Sequence, residues 1–105
     1  MNITDLIDDV VGSMSRFADL LRLVGLPELG EGYREEAERL DGDRSDRSVR
    51  QTRDWIRQTF QYQGGGSIPD RYVAKEDGSI DRPLDNEYRE LMRILGAFAG
   101  ESRMS

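Results

Sequence analysis

The sequence contains no cysteine and no histidine. Without cysteine, disulfides and thiolate catalysis are excluded, and cysteine usage gives no indication of the redox compartment. Without histidine, the chain lacks the commonest general base, the usual partner of a nucleophilic serine and the commonest transition-metal ligand. We therefore expect neither an enzyme nor a metalloprotein, and we expect no cofactor.

Long apolar runs are also missing. No apolar stretch approaches the length of about 18 residues that a membrane-spanning helix needs, and no basic segment precedes an apolar run at the start of the sequence. The formal net charge is −6, which disfavours binding to nucleic acid and to anionic membranes but suits a basic protein partner. We therefore expect a cytoplasmic protein that contacts neither membranes nor nucleic acid directly.

The length of 105 residues predicts a single domain over residues 1–105, because two separate cores would each be too small to fold unaided. The first segment predicts an amphipathic helix that ends at Gly25, with Pro27 following. Its apolar positions recur in steps of four and three, and they are Ile3, Ile7, Val10, Met14, Phe17, Leu21 and Val24. The stripe also keeps a short seven-residue repeat, so a dimeric coiled coil is an alternative to the favoured compact bundle.

Three further helices are predicted after the first. The second runs from Pro27 to Leu40, the third is capped by Ser45 or Asp46, and the last is capped by Asp85. A turn-forming Asp-Gly pair lies between the third and the last helix. We therefore predict an all-α fold: a compact four-helix domain with a short β-hairpin or irregular excursion between helices 3 and 4. The tail, residues 101–105, is expected to fray.

Three consecutive glycines, Gly64, Gly65 and Gly66, follow the third helix and precede Ser67. A phosphate-binding loop of the Walker type needs a lysine after its last glycine and a strand before its first, and the sequence offers neither. Apolar residues flank the run on both sides, which argues against a flexible linker. We therefore interpret residues 64–67, together with Asp70, as a structural turn that ends the helix.

The motifs FADLLRLVGL, YREEAERL, GGGSIPDRYV and DNEYRELMRILGAFA follow one another in this order. The order resembles a family of small bacterial helical proteins of unassigned function, some of which are similar to immunity proteins encoded near secreted polymorphic toxins. In that family, a GGxGS-like turn and a nearby aspartate precede a final helix that opens near an asparagine. Residues 64–67, Asp70 and Asn86 match this pattern. The chain departs from it by a longer DGS turn and by Tyr33 where a tryptophan is expected.

Charge is distributed unevenly over the second and third helices. Residues 28–43 carry seven acidic residues and two arginines, whereas residues 44–57 carry five arginines and two acidic residues. These charges can pair internally between two neighbouring helices, at about 0–1 kcal/mol a pair, and this interpretation is slightly favoured. Alternatively, one of the two charged faces meets a partner.

The resemblance implies a protein-binding inhibitor, the immunity partner that neutralises a bacterial toxin, and the acidity indicates a basic toxin or enzyme as its target. One alternative is a phage or plasmid anti-defence protein that blocks a host enzyme. Another is a self-associating structural or regulatory helical protein that uses the first helix. The sequence leaves open whether the chain is a monomer or a homodimer.

The second helix and the loop after it form the predicted interface. The predicted partner-binding residues are Glu28, Glu31, Tyr33, Glu35, Glu36, Asp41 and Asp43. Affinity at the centre of an interface usually comes from aromatic anchors, for which Tyr33, Tyr62 and Tyr72 are the candidates. The alternative interface is the arginine face of the third helix, with Arg47, Arg50 and Arg57.

Overall fold

Four α-helices follow one another along the chain, close to the positions that the apolar spacing predicts. The structure is a computed structural model that describes residues 3–61, 68 and 71–100. The helices are α1 (Ile3–Leu23), α2 (Pro27–Gly42), α3 (Asp46–Gln61) and α4 (Arg82–Gly100). The predicted compact four-helix domain is therefore confirmed. The glycine run at residues 64–66, Ser67, Asp70 and the tail at residues 101–105 lie outside the described residues.

Neighbouring helices run antiparallel, as short connections favour. Asp19 of α1 pairs with Arg34 of α2, while Asp8, earlier in α1, pairs with Arg44 just beyond the end of α2. Between α2 and α3, the hydroxyls of Tyr33 and Thr59 are hydrogen-bonded at 2.6 Å, and an arginine near the end of α2 reaches the start of α3. Residue numbers therefore increase along one helix in the direction in which they decrease along its neighbour.

The apolar stripe of α1 faces the interior of this bundle. Its described members from Ile7 to Val24 are each at most 6% exposed. The ring of Phe17 meets Tyr33 of α2 edge-on at 5.1 Å, stacks on Tyr88 of α4 at 5.3 Å and lies 6.3 Å from the ring of Phe60 of α3. Such ring pairs contribute about 0.5–1.5 kcal/mol each beyond the area that they bury. Because the stripe is already covered by the other helices, it is not available for a coiled coil.

An ion pair on the surface joins α1 to α4. The guanidinium of Arg16 donates to both carboxylate oxygens of Glu87, at 2.6 and 2.9 Å. This hydrogen bond lowers the pKa of Glu87 below its ordinary value of 4.5 and raises that of Arg16. The pair is partly exposed, so its contribution to stability is small.

The connection between α3 and α4 is irregular, and no strand occurs in the described parts of the chain. Ala74 and Ile80 form an isolated antiparallel bridge around a turn in which Gly78 has a φ of 89°. A single bridge does not extend into strands because, of residues 72–80, only Val73 is buried, whereas Tyr72 and Ile80 are about half exposed. Of the two predicted alternatives, the irregular excursion is therefore found and the β-hairpin is not.

The start of α4 corrects the sequence-based prediction. The helix begins at Arg82, and its cap is Asp81, whose carboxylate accepts the Leu84 N–H at 3.3 Å. Asp85, the predicted cap, lies in the first turn and is buried. Its carboxylate accepts the Val73 N–H at 3.1 Å and so ties the irregular connection to the helix.

Two glycines in helices differ in what surrounds them. A Cβ at Gly30 of α2 would lie 2.7 Å from the carbonyl oxygen of Ala18 in α1, whereas a Cβ at Gly12 of α1 would meet nothing within 4 Å. Gly30 therefore permits the close approach of α1 and α2, while Gly12 only lowers the helix propensity of α1.

We predict opposite effects of alanine at these two glycines. Gly30→Ala should destabilise the fold by about 1–3 kcal/mol because α2 must move away from the Ala18 carbonyl. Gly12→Ala should stabilise it by about 0.5–1 kcal/mol through helix propensity alone. Urea unfolding followed by far-ultraviolet circular dichroism measures both. A stabilised Gly30→Ala variant would contradict the close contact between α1 and α2.

Candidate protein-binding surface

An unbroken row of glutamates follows the outward side of α2. Glu28, Glu31, Glu35 and Glu38 are exposed and lie three, four and three residues apart, which places them on one face of the helix. This face is opposite to the buried positions Gly30, Tyr33, Ala37 and Leu40. None of the four glutamates forms an ion pair with any residue that the structure describes. We call these four residues the acidic stripe.

Glu38 was missing from the predicted partner-binding residues. The signal was in the sequence, because Glu38 continues the steps of Glu28, Glu31 and Glu35 and is out of phase with the buried positions. Neighbouring glutamates at these spacings repel one another, at about 0.2–0.5 kcal/mol a pair. The fold therefore gains nothing from three such pairs in a row.

Glu36 belongs to a polar network between α2 and α3 rather than to the stripe. Its carboxylate accepts three hydrogen bonds from Arg39, the shortest at 2.6 Å, and this contact raises the pKa of Arg39. The same guanidinium donates to the buried hydroxyls of Ser48 at 2.8 Å and Thr52 at 2.7 Å. Glu36 holds in place the arginine that hydrogen-bonds to these hydroxyls. Its role is therefore structural, in contrast to its prediction as a partner-binding residue.

Tyr33, predicted to be an aromatic anchor of the interface, is a core residue. It is fully buried, and burial raises the pKa of its hydroxyl. Its ring packs against Phe17 and, at 4.6 Å, against Trp55 of α3. A partner could reach Tyr33 only by opening the bundle, so we remove it from the surface. Among the candidate anchors, Tyr62 lies outside the described residues and Tyr72 is 48% exposed.

Asp41 and Asp43 are exposed but take part in local structure. Asp41 pairs with Arg44 at 2.5 Å, and Arg44 also reaches Asp8 of α1. Asp43 accepts the Ser45 N–H at 3.1 Å, and the hydrogen bonds from Ser45 lower the pKa of Asp43. Ser45 in turn accepts the Ser48 N–H at 3.2 Å, which confirms it as the cap of α3. These two aspartates therefore stabilise the α2–α3 corner beside the acidic stripe.

Of the slightly favoured pairing between the acids of residues 28–43 and the arginines of residues 44–57, the described residues show the pair Asp41–Arg44 at the corner, but no described acid of α2 pairs with an arginine of α3. Arg53 stacks over the ring of Phe98 at 4.7 Å, and Arg57 pairs with Asp54 of its own helix and donates to the Ala99 carbonyl. Arg47 and Arg50 are exposed and line a shallow groove with two neighbours on α3. The acidic stripe of α2 and the outer arginines of α3, Arg47 and Arg50, therefore both face outward.

Exposed apolar side chains gather at one end of the bundle. The large ones among the described residues are Leu23, Tyr72 and Ile80, each about half exposed. Leu23 ends α1, and the adjacent Val24 carbonyl accepts a hydrogen bond from Arg71 at 3.2 Å, next to Tyr72. We call these three residues the apolar end. The acidic stripe starts at the same end, because α2 begins just after this contact.

The described residues contain no group of three or more potential metal ligands among histidine, cysteine, aspartate and glutamate. Within the same residues, no helix has the length and apolarity that crossing a membrane requires. No protein-family model matches the chain, and neither a curated protein nor a solved structure matches it. The surface of α2 must therefore be interpreted from its own chemistry.

Glu35 and Glu36 provide a test of these assignments, since they are adjacent in sequence but differ in surroundings. Glu36→Lys should destabilise the fold by about 1–3 kcal/mol, because it removes the partner of Arg39 and places a second cation beside it. Glu35→Lys should change stability by less than about 0.5 kcal/mol because Glu35 has no such contact. Thermal melts at neutral pH separate the two. Equal effects of the two substitutions would show that the Arg39 network is not formed.

Proposed function

We propose that the protein is a protein-binding inhibitor and that it neutralises a bacterial toxin as its immunity partner. The observation that carries the proposal is the acidic stripe: four outward glutamates that the described structure leaves without ion pairs. The sequence resemblance supplies the class of protein, and the stripe supplies a physical way of recognising a target.

A basic target fits this surface best. Enzymes that act on nucleic acids commonly carry a basic surface for the phosphate backbone, and an acidic helix can cover such a surface. Complementary charge speeds the encounter of two proteins and makes the association rate depend on salt. Binding would also neutralise the repulsion between the neighbouring glutamates. The stripe is thus unfavourable in the free protein and favourable in the complex.

The apolar end supplies the hydrophobic contact that the charged stripe does not provide. Charged rims mainly change association rates, whereas buried aromatic side chains usually carry the affinity. Tyr72 is about half exposed and follows Arg71, whose guanidinium reaches the Val24 carbonyl shortly before α2 begins. The proposed interface therefore consists of the acidic stripe and the apolar end.

We propose a non-catalytic role, in the cytoplasm, without a cofactor. The chain has no histidine or cysteine, and its buried tyrosine hydroxyls serve the core. Tyr88, for example, donates to the Ile68 carbonyl at 2.8 Å, and burial raises its pKa to about 12. An anti-defence protein that blocks a host enzyme would use the same surface against a different target. Self-association through α1 is disfavoured because its apolar stripe is buried.

The test is capture of the partner from lysates of the source cell. The double variant Glu31→Lys/Glu35→Lys should lose capture, and with the captured partner purified, its association rate at low salt should fall tenfold or more, on the order that steering provides. A matched control is Asp5→Lys/Asp9→Lys, which changes the net charge equally at two exposed acids in the first half of α1, away from the stripe and the apolar end. The control should capture as the parent does.

Equal capture by both double variants would contradict the acidic stripe as the interface. A captured basic enzyme whose activity the protein inhibits would support the proposed class. A captured partner that retains full activity in the complex would contradict the proposed inhibition but not the proposed interface.

A further inference from the structure

The side of the bundle formed by α2 and α3 combines charges of both signs with a partly exposed aromatic ring. Helix α2 carries six acidic residues and two arginines, a net of −4, and α3 carries four arginines and two acidic residues, a net of +2. Trp55, the only tryptophan, lies between the helices, partly buried against Gly32 of α2. This α2–α3 side is distinct from the apolar end.

Contacts between the two helices fix which of their residues lie at the same height. Tyr33 meets Thr59, Gly32 meets Trp55, and Arg39 meets both Ser48 and Thr52. In the same antiparallel register, Glu38 of α2 lies at the height of Arg50 of α3 along the helix axes. Asp41 lies at the height of Arg47. All four are exposed, but they project outward from two different helices and form no ion pair with one another.

We propose that a second copy of the chain docks on the α2–α3 side, with a two-fold axis parallel to the helices. Such an axis places α2 of one copy over α3 of the other and keeps every residue at its own height. Glu38 and Asp41 of each copy then face Arg50 and Arg47 of its partner copy, so each contact occurs twice. Trp55 lies near the axis and is covered by its counterpart.

Charge complementarity selects a second copy as the occupant. The alternative two-fold arrangement, with its axis across the helices, would place acidic α2 on acidic α2 and is disfavoured by repulsion. The dimer uses Glu38, which also belongs to the acidic stripe, so a target that covers the stripe would compete with the second copy for this residue. The test of the dimer needs only the purified protein and no target, so the two proposals can still fail separately.

A charge swap tests the dimer. Over a concentration series, sedimentation equilibrium of the parent should show a mass rising from 12.0 kDa towards twice that value. The variants Arg47→Glu/Arg50→Glu and Glu38→Arg/Asp41→Arg should each remain monomeric, because each opposes like charges across the axis. An equimolar mixture of the two should recover the dimer, because all four contacts are again complementary. The emission of Trp55 should shift to shorter wavelength with dimer formation and follow the mass.

The dimer would be overturned by a parent that stays monomeric throughout the series, or by a mixture that stays monomeric although both variants melt as the parent does. Since Asp41 also holds Arg44, the pair Glu38→Arg and Arg50→Glu repeats the test without touching Asp41. The control Asp9→Arg/Glu76→Arg should dimerise as the parent does. A monomeric control would show that association depends on the overall charge and not on the four contacts. This result would likewise overturn the proposal.

Discussion

The fold depends on the ring of Phe17, which is the point where all four helices meet. From the middle of α1 it contacts Tyr33 of α2, Phe60 of α3 and Tyr88 of α4. The apolar stripe on either side of Phe17 is buried along its described length, so α1 organises the bundle. Burying one fully apolar stripe in this way leaves the outer faces of α2 and α3 free to carry charge at little cost to the core.

The outer face of α2 carries more negative charge than the fold requires. Polar residues that the fold does use are joined to partners: Glu36 holds Arg39, Asp43 contributes to the cap of α3, and Asp85 ties Val73 to α4. The glutamates of the acidic stripe have no comparable contact among the described residues. A surface that is unfavourable in the free protein and suited to a basic target is what a binding protein needs.

Helix periodicity was enough to predict α1 and the class of the fold, because apolar residues at steps of three and four define a buried face in any surroundings. The start of α4 was not predictable in this way, since Asp81 and Asp85 are equally good caps by composition and only tertiary contacts bury Asp85. Likewise, sequence showed seven acids in residues 28–43 but could not distinguish Glu35 from Glu36. That difference arises from the position of α3, which brings Ser48 and Thr52 to Arg39.

We propose that the acidic stripe serves binding and not the fold. Its most direct test is the unfolding free energy of Glu31→Gln/Glu35→Gln/Glu38→Gln, measured by urea denaturation beside the parent. Glutamine matches glutamate in size and helix propensity, so the variant removes only the charge. We expect an unfolding free energy equal to or above that of the parent, because repulsion along α2 is relieved. A decrease of more than about 1 kcal/mol would show that the glutamates stabilise the fold and would contradict the account.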